Sequence, residues 1–202
     1  MPETLEIPKT RGRPDEGARD AVIEAARDLF VERDYNDVSI GEILDRSGVS
    51  RGALYHHFST KLDLFVAVYR ASEMRVIDQI AASMSNSSGP FEALVGGARA
   101  YLRLCETDEE FRRIGLTQSR AVLGWEGWRA AASELGIAVM LALVNAAIEA
   151  GELPPQDPET IAQILLGALI EAAMLIVTAE DRAAARERSE SAIVELLEGL
   201  RP

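Results

Sequence analysis

The chain has a single cysteine, Cys105, so no disulfide can form within it. Its place between Leu104 and Glu106 in an apolar helical pattern predicts a packed, inert thiol, because a redox-sensing cysteine needs exposure and basic neighbours. Histidine is nearly as scarce. His56 and His57 are the only two, and successive positions on a helix project about 100° apart, so with no third ligand in reach a metal site is excluded. The chain also lacks a G-x-S-x-G nucleophile elbow and a phosphate-binding glycine loop, which leaves no set of groups for catalysis and no cofactor motif. No alternating run of β-branched residues bounded by turns calls for a sheet. Met1 to Arg13 is polar and carries no apolar core, so it is not read as a secretory or targeting segment, and the expected location is the cytoplasm.

What remains is helical and amphipathic. Hydrophobic residues make up 48% of the chain, enough for a packed core in each of two units. Ser39 followed by Glu42 fits a capping box, in which a hydroxyl and a carboxylate three residues on satisfy the free amides of a helix start. Ile40, Ile43 and Leu44 then recur at helical spacing, and Ser47-Gly48 stops the helix because glycine adopts the left-handed conformation cheaply. Ser50 can cap a second helix in which Leu54 and Phe58 pack inward, leaving Arg51, Gly52, Tyr55 and His56 to face elsewhere. Thr60 with Asp63 forms another capping box and opens a third helix with Leu64, Phe65 and Val68 on its buried side. Two short helices joined by a turn of about four residues match the helix-turn-helix geometry, whose second helix lies in the major groove of DNA.

The net charge of -12, from 21 basic and 33 acidic residues, opposes indiscriminate adhesion to nucleic acid. Its distribution matters more. Lys9, Arg11 and Arg13 have no acid among them, and Ser47 to Leu62 holds no Asp or Glu while Arg51 and Lys61 are present. Residues 1–18 read as a flexible arm broken by Pro2, Pro8, Pro14, Gly12 and Gly17, with Arg11-Gly12-Arg13 either entering a minor groove or forming a plain basic tail.

The segment VSRGALYHHFSTKLDLFVAV, residues 49–68, resembles the DNA-binding signature of the TetR family of bacterial transcriptional repressors, and the likeness runs from about Arg19 to Tyr69. It is carried further by AVIEAARDLFVERDYNDVSI, which resembles that family's first helix, with Val22, Ala26, Leu29 and Phe30 on its core face. The resemblance implies an all-α chain: a three-helix DNA-binding domain over 19–65, then a helical effector-binding and dimerisation domain over 66–202. It also implies that Arg51 and Gly52 face base edges. Ser39, Ser50, Tyr55, His56, His57 and Lys61 would lie near the DNA backbone, with His57 equally suited to an interior hydrogen-bonding role. The expected partners are a palindromic operator in double-stranded DNA, a second copy of the chain and a small-molecule effector, with no membrane.

Beyond a helix expected from Lys61 to about Ala82, SMSNSSGP (Ser83 to Pro90) reads as a linker. Helices are expected over Phe91 to Cys105, around Thr107 to Gly115 with a capping box from Thr107 to Glu110, and over Trp125 to Ala150. Asp157-Pro158 opens a long helix to about Thr178. Its run Ile161 to Val177 is short for a membrane span and carries Gln163 and Glu171, so burial against its own subunit and a partner is the simpler reading. Ser189, Ile193, Leu196 and Leu200 form the next seam, and the two helices resemble the half of a four-helix bundle that TetR-family dimers share. Large or polar side chains that interrupt the Ala- and Leu-rich helices are candidates for an effector pocket: Leu102, Cys105, Trp125, Trp128, Met140, Asn145, Glu171 and Met174. Glu171 needs a partner in that setting: a ligand, an arginine such as Arg99 or Arg120, or the other subunit. The expected function is repression relieved by a small molecule, with control by a protein partner or ligand-activated DNA binding as alternatives.

Overall fold

A computed structural model describes residues 14–202, less the side chains of residues 14–16 and 132–135. Among the described residues every element is helical. They divide into two compact units, one ending at Val68 and the other spanning Tyr69–Pro202.

The first unit holds α1 (Pro14–Glu32), α2 (Ile40–Ser47), α3 (Arg51–His57) and the start of α4 (Lys61–Met84). Helix α1 begins earlier than an arm ending at residue 18 allows. Pro14 is its first residue, where a missing amide costs nothing and the fixed φ suits a helix, so this proline starts the helix. Val22, Ala26, Leu29 and Phe30 are buried, and the Phe30 and Tyr35 rings meet the Phe65 ring edge-on, each 5.2 Å from it.

The second unit contains the rest of α4 with α5 (Pro90–Thr107), a wide π-type segment (Phe111–Gln118), α6 (Ser119–Glu149), α7 (Pro158–Thr178) and α8 (Arg182–Glu198). The break after α6 has a second use. Gly151 takes φ 72°, turning the chain so that the Glu152 carboxylate accepts the Phe91 amide at 2.6 Å and caps α5. Asp157 caps α7 by accepting the Thr160 amide at 3.0 Å, with Pro158 at the first helical position. Helices α5 and α8 are cross-linked by Arg186, which bonds Glu106 at 2.5 Å and Glu190 at 2.6 Å, while Arg99 pairs with Glu190 at 3.2 Å.

In three places the helices depart from what the sequence predicts. Asp108, not Thr107, accepts the Phe111 amide, at 2.9 Å; the Thr107 hydroxyl instead donates to the Arg103 carbonyl, and α5 runs two residues past Cys105 before the cap. The helix containing Trp125 starts at Ser119, with Gly124 at φ 70° and ψ 173° breaking its axis. In α8 the inward stripe is Ala185, Ser189, Ile193 and Leu197, a strict four-residue spacing that leaves Leu196 44% exposed. Helix α7 buries Ala162, Leu165, Leu169, Ala172, Ala173 and Ile176 on one face; Ile164 and Leu175 on the other remain 57% and 58% exposed.

Candidate nucleic-acid interface and ligand cavity

Helices α2 and α3 are set by short-range chemistry. The Ser39 hydroxyl accepts the Glu42 amide at 3.2 Å and the Glu42 carboxylate accepts the Ser39 amide at 2.8 Å, completing a capping box. Those bonds, with a 2.7 Å contact from Arg33, hold the Glu42 carboxyl down at about 2. Gly48 at φ 68° ends α2, and Ser50 starts α3 by accepting the Ala53 amide at 3.2 Å. Thr60 and Asp63 exchange bonds of 2.9 and 3.0 Å at the start of α4. Leu54 and Phe58 anchor α3 inward, which leaves Arg51, Gly52, Tyr55 and His56 exposed on the other side. Two acids of the unit are paired with arginines: Glu42 with Arg33, and Glu32 with Arg46 through bonds of 2.6 and 3.1 Å. Helix α3 itself contains no Asp or Glu, so its exposed face carries no negative charge of its own.

Within the second unit lies a cavity of about 150 Å³. Its wall is contributed by α4, α5, the π-type segment, α6 and α7, and includes Tyr69, Glu73, Tyr101, Phe111, Trp128 and Met140. Small residues, among them Gly97, Ala98 and Gly136, keep it open: a Cβ at Gly97 would come within 2.9 Å of the Met84 sulfur. The Gly115 carbonyl accepts both the Ser119 hydroxyl at 2.5 Å and the Trp128 indole N–H at 3.4 Å, which orients Trp128 along the cavity wall. The Arg120 guanidinium backs that indole 5.0 Å from the ring centre. On the α4 side, Arg75 bonds Asp108 at 2.7 Å, tying the helix to the residue that caps the π-type segment. Burial pushes the Glu73 carboxyl up to about 7, and raises the Tyr69, Tyr101 and Cys105 groups well above their ordinary values. Among the described residues no group of three or more His, Cys, Asp and Glu could hold a metal ion.

Residues 22–68 match the family model for bacterial regulatory proteins of the tetR family, and residues 91–200 match that for the tetracyclin repressor-like C-terminal domain. The chain belongs to the TetR family. It is 31% identical over 157 residues to the HTH-type transcriptional repressor BepR of Brucella suis, covering 73% of this chain and 75% of that one. A TetR-family transcriptional regulator from Pectobacterium atrosepticum matches 95% of this chain and 98% of its own with a TM-score of 0.82 at 31% identity. RolR in complex with resorcinol shares the fold, with a TM-score of 0.69 at 21% identity over 92% of this chain and 90% of that one. As a TetR-family member the chain is a DNA-binding transcriptional regulator; its homologues are regulators, not enzymes. Members of the family are soluble, typically cytoplasmic, and typically act as dimers with small-molecule effectors.

The TetR-like signature residues fall into three groups in this chain. Arg51, Gly52, Tyr55 and His56 share the exposed side of α3, while Ser39 and Ser50 are helix caps whose hydroxyls also reach the surface. Lys61 is partly buried: its ammonium donates to the Tyr35 carbonyl and stands 4.1 Å from the centre of the Tyr35 ring, and desolvation lowers its pKa. His57 is half-buried, its ring between those of His56 and Phe58. Arg11 and Arg13 lie outside the described residues. Of the eight effector candidates, Trp128 and Met140 line the cavity. Leu102 and Cys105 are buried in the hydrophobic core, with Met174 packed against it, and Asn145 is half-buried away from the cavity wall. Trp125 is 56% exposed, its ring 5.7 Å from that of Trp128. Glu171 is exposed on the outer face of α7, the face that also carries Ile164 and Leu175, and neither expected arginine reaches it: Arg99 pairs with Glu190 and Arg120 stacks on the indoles. Sequence reasoning overlooked Glu73, although Tyr69, Glu73, Val76 and Ile80 follow one another at helical spacing and mark it as a lone acid on an apolar face.

Proposed function

We propose that the chain is a dimeric repressor that holds a palindromic operator and releases it when a small molecule enters the cavity. Arg51 reads a base edge, with two donors suited to guanine, and Gly52 lets the backbone come close. A Cβ at Gly52 would meet no atom within 4 Å, so nothing inside the chain demands glycine there, and an approaching duplex does. Tyr55, His56, His57, Lys61 and the Ser39 and Ser50 hydroxyls contact the backbone, and Arg11 and Arg13 enter the minor groove. The outer faces of α7 and α8, with Ile164, Leu175 and Leu196 exposed, meet their equals on a second copy rather than lipid. Catalysis plays no part, and the protein works in the cytoplasm.

The observation that carries the ligand-response reading is that α4, which opens directly after the reading helix, also lines the cavity from Tyr69 to Met84 and is bonded through Arg75 to Asp108, whose carboxylate accepts the Phe111 amide at the entry to the π-type segment. A ligand that fits better when this wall is displaced would favour a DNA-incompetent spacing of the two reading helices, by as much as its affinities for the two states differ. RolR, with resorcinol bound, is a protein of this fold that holds a small molecule. The base-reading assignment is tested by gel shifts with Arg51→Ala and Lys61→Ala against a site and its single-base variants. Arg51→Ala is expected to lose about 1–3 kcal/mol of discrimination at one base pair, whereas Lys61→Ala weakens all sequences alike. Equal selectivity in the two variants would reject the assignment. Lys61→Ala also frees Tyr35, so its melting temperature is measured alongside.

A further inference from the structure

Glu73 is the one charged side chain in the described wall of an otherwise apolar and aromatic cavity. Among the described residues no lysine, arginine or histidine joins it there, and no hydrogen bond or ion pair engages its carboxylate. Glu73 lines the cavity and keeps some accessible surface, and the chain packs round it closely enough to disfavour its charge. Its Oε1 faces Gly115, where a Cβ would come within 3.1 Å. One turn earlier on α4, the Tyr69 hydroxyl is buried with no hydrogen-bond partner, and Tyr69 lines the same cavity. A buried acid and a buried hydroxyl, both unsatisfied, each cost free energy that only a ligand or trapped water can recover.

We propose that the cavity takes a compact lipophilic cation, an amine or quaternary ammonium on an apolar body about one ring in size, with its charge set against the Glu73 carboxylate and beside the Tyr69 hydroxyl. The inference rests on the reading of the cavity as the effector site and names the class of effector. The size follows from the volume of about 150 Å³, comparable to an engineered apolar cavity that takes up benzene. The sign of the charge follows from the wall: an anion would meet a carboxylate and no cation, and a neutral ligand would leave the acid without a counter-charge. Tyr101, Phe111 and Trp128 add aromatic faces, which attract a cation and offer an anion nothing. Burial that raises Glu73 to about 7 is the condition that an incoming positive charge relieves.

The test uses the full chain and three probes of similar shape: benzyltrimethylammonium, its neutral isostere neopentylbenzene, and phenylacetate. Binding is followed by tryptophan fluorescence, since Trp128 lines the cavity. The ammonium is expected to bind at least about tenfold more tightly than the neutral isostere, which is about 1.4 kcal/mol, and phenylacetate not measurably. Glu73→Gln should erase that advantage while leaving neopentylbenzene within about twofold, as a neutral ligand owes the carboxylate little. Equal affinities for the ammonium and its isostere in the wild type, preference for phenylacetate, or binding of none of the three would overturn the proposal even if the variant fails to fold. DNA selected by the protein from a random pool separates this from the effector reading. An isostere that matches the ammonium and still displaces that DNA defeats the charge preference alone. An ammonium that binds with the expected preference and leaves DNA in place upholds the preference and defeats release.

Discussion

Replacing Glu73 by Gln should change how stability depends on pH, in a direction set by the cavity. Burial raises this carboxyl from 4.5 to about 7. Between those values the folded chain binds a proton that the unfolded chain has released, so the contribution is fully present below about pH 4.5 and is lost as pH rises through about 7. At about 1.4 kcal/mol per pH unit the full effect is about 3 kcal/mol, and water inside the cavity reduces it, giving about 1–3 kcal/mol. Glutamine has nearly the same shape and does not titrate, so subtracting the two proteins' profiles removes groups common to both. The assay is urea unfolding followed by tryptophan fluorescence, which reports the second unit because Trp125 and Trp128 are the only tryptophans. Relative to wild type, Glu73→Gln is expected to gain about 1–3 kcal/mol between about pH 5 and pH 8. A difference that stays constant across that range would show that the carboxyl is solvated in the folded state and would refute the reasoning.

Gly48→Ala should destabilise the first unit by about 1–2 kcal/mol, because Gly48 ends α2 at φ 68° where a Cβ is strained, and thermal melts by circular dichroism check it. The double substitution Ile164→Asp with Leu175→Asp, on the 57% and 58% exposed positions of α7, should weaken self-association at least about tenfold with helix content unchanged. Sedimentation equilibrium measures this, and an unchanged association constant would move the dimer contact elsewhere.

The elements that could be read from the chain alone are those set by neighbours in sequence. Ser39 with Glu42, Ser50 before Arg51, Thr60 with Asp63 and Asp157 before Pro158 each act within about four residues, and each bond is present. Pro14 and Thr107 show the limit of that approach: a proline suits a helix start as well as a break, and Thr107 lost the cap to Asp108, whose carboxylate is also held by Arg75 from α4. The exposed side of α3 was legible because Leu54 and Phe58 determine which way it faces. The cavity was not. Its wall draws on α4 through α7, and single large residues do not reveal where packing leaves space; it takes the small residues Gly97, Ala98 and Gly136 meeting across helices to make room. Leu196 and Leu197 show the same difficulty at one position, where adjacent leucines face opposite ways and only the packed helix decides which is inside.

The proposed function requires two copies of the chain presenting two α3 helices to one duplex. Selection of bound DNA from a random pool with the full-length protein tests this most directly. The expected result is a two-fold symmetric sequence whose half-sites are centred about one helical turn apart, roughly 34–36 Å, or a multiple of it. Enrichment of a lone half-site without its symmetric mate, or of no sequence at all, would contradict it.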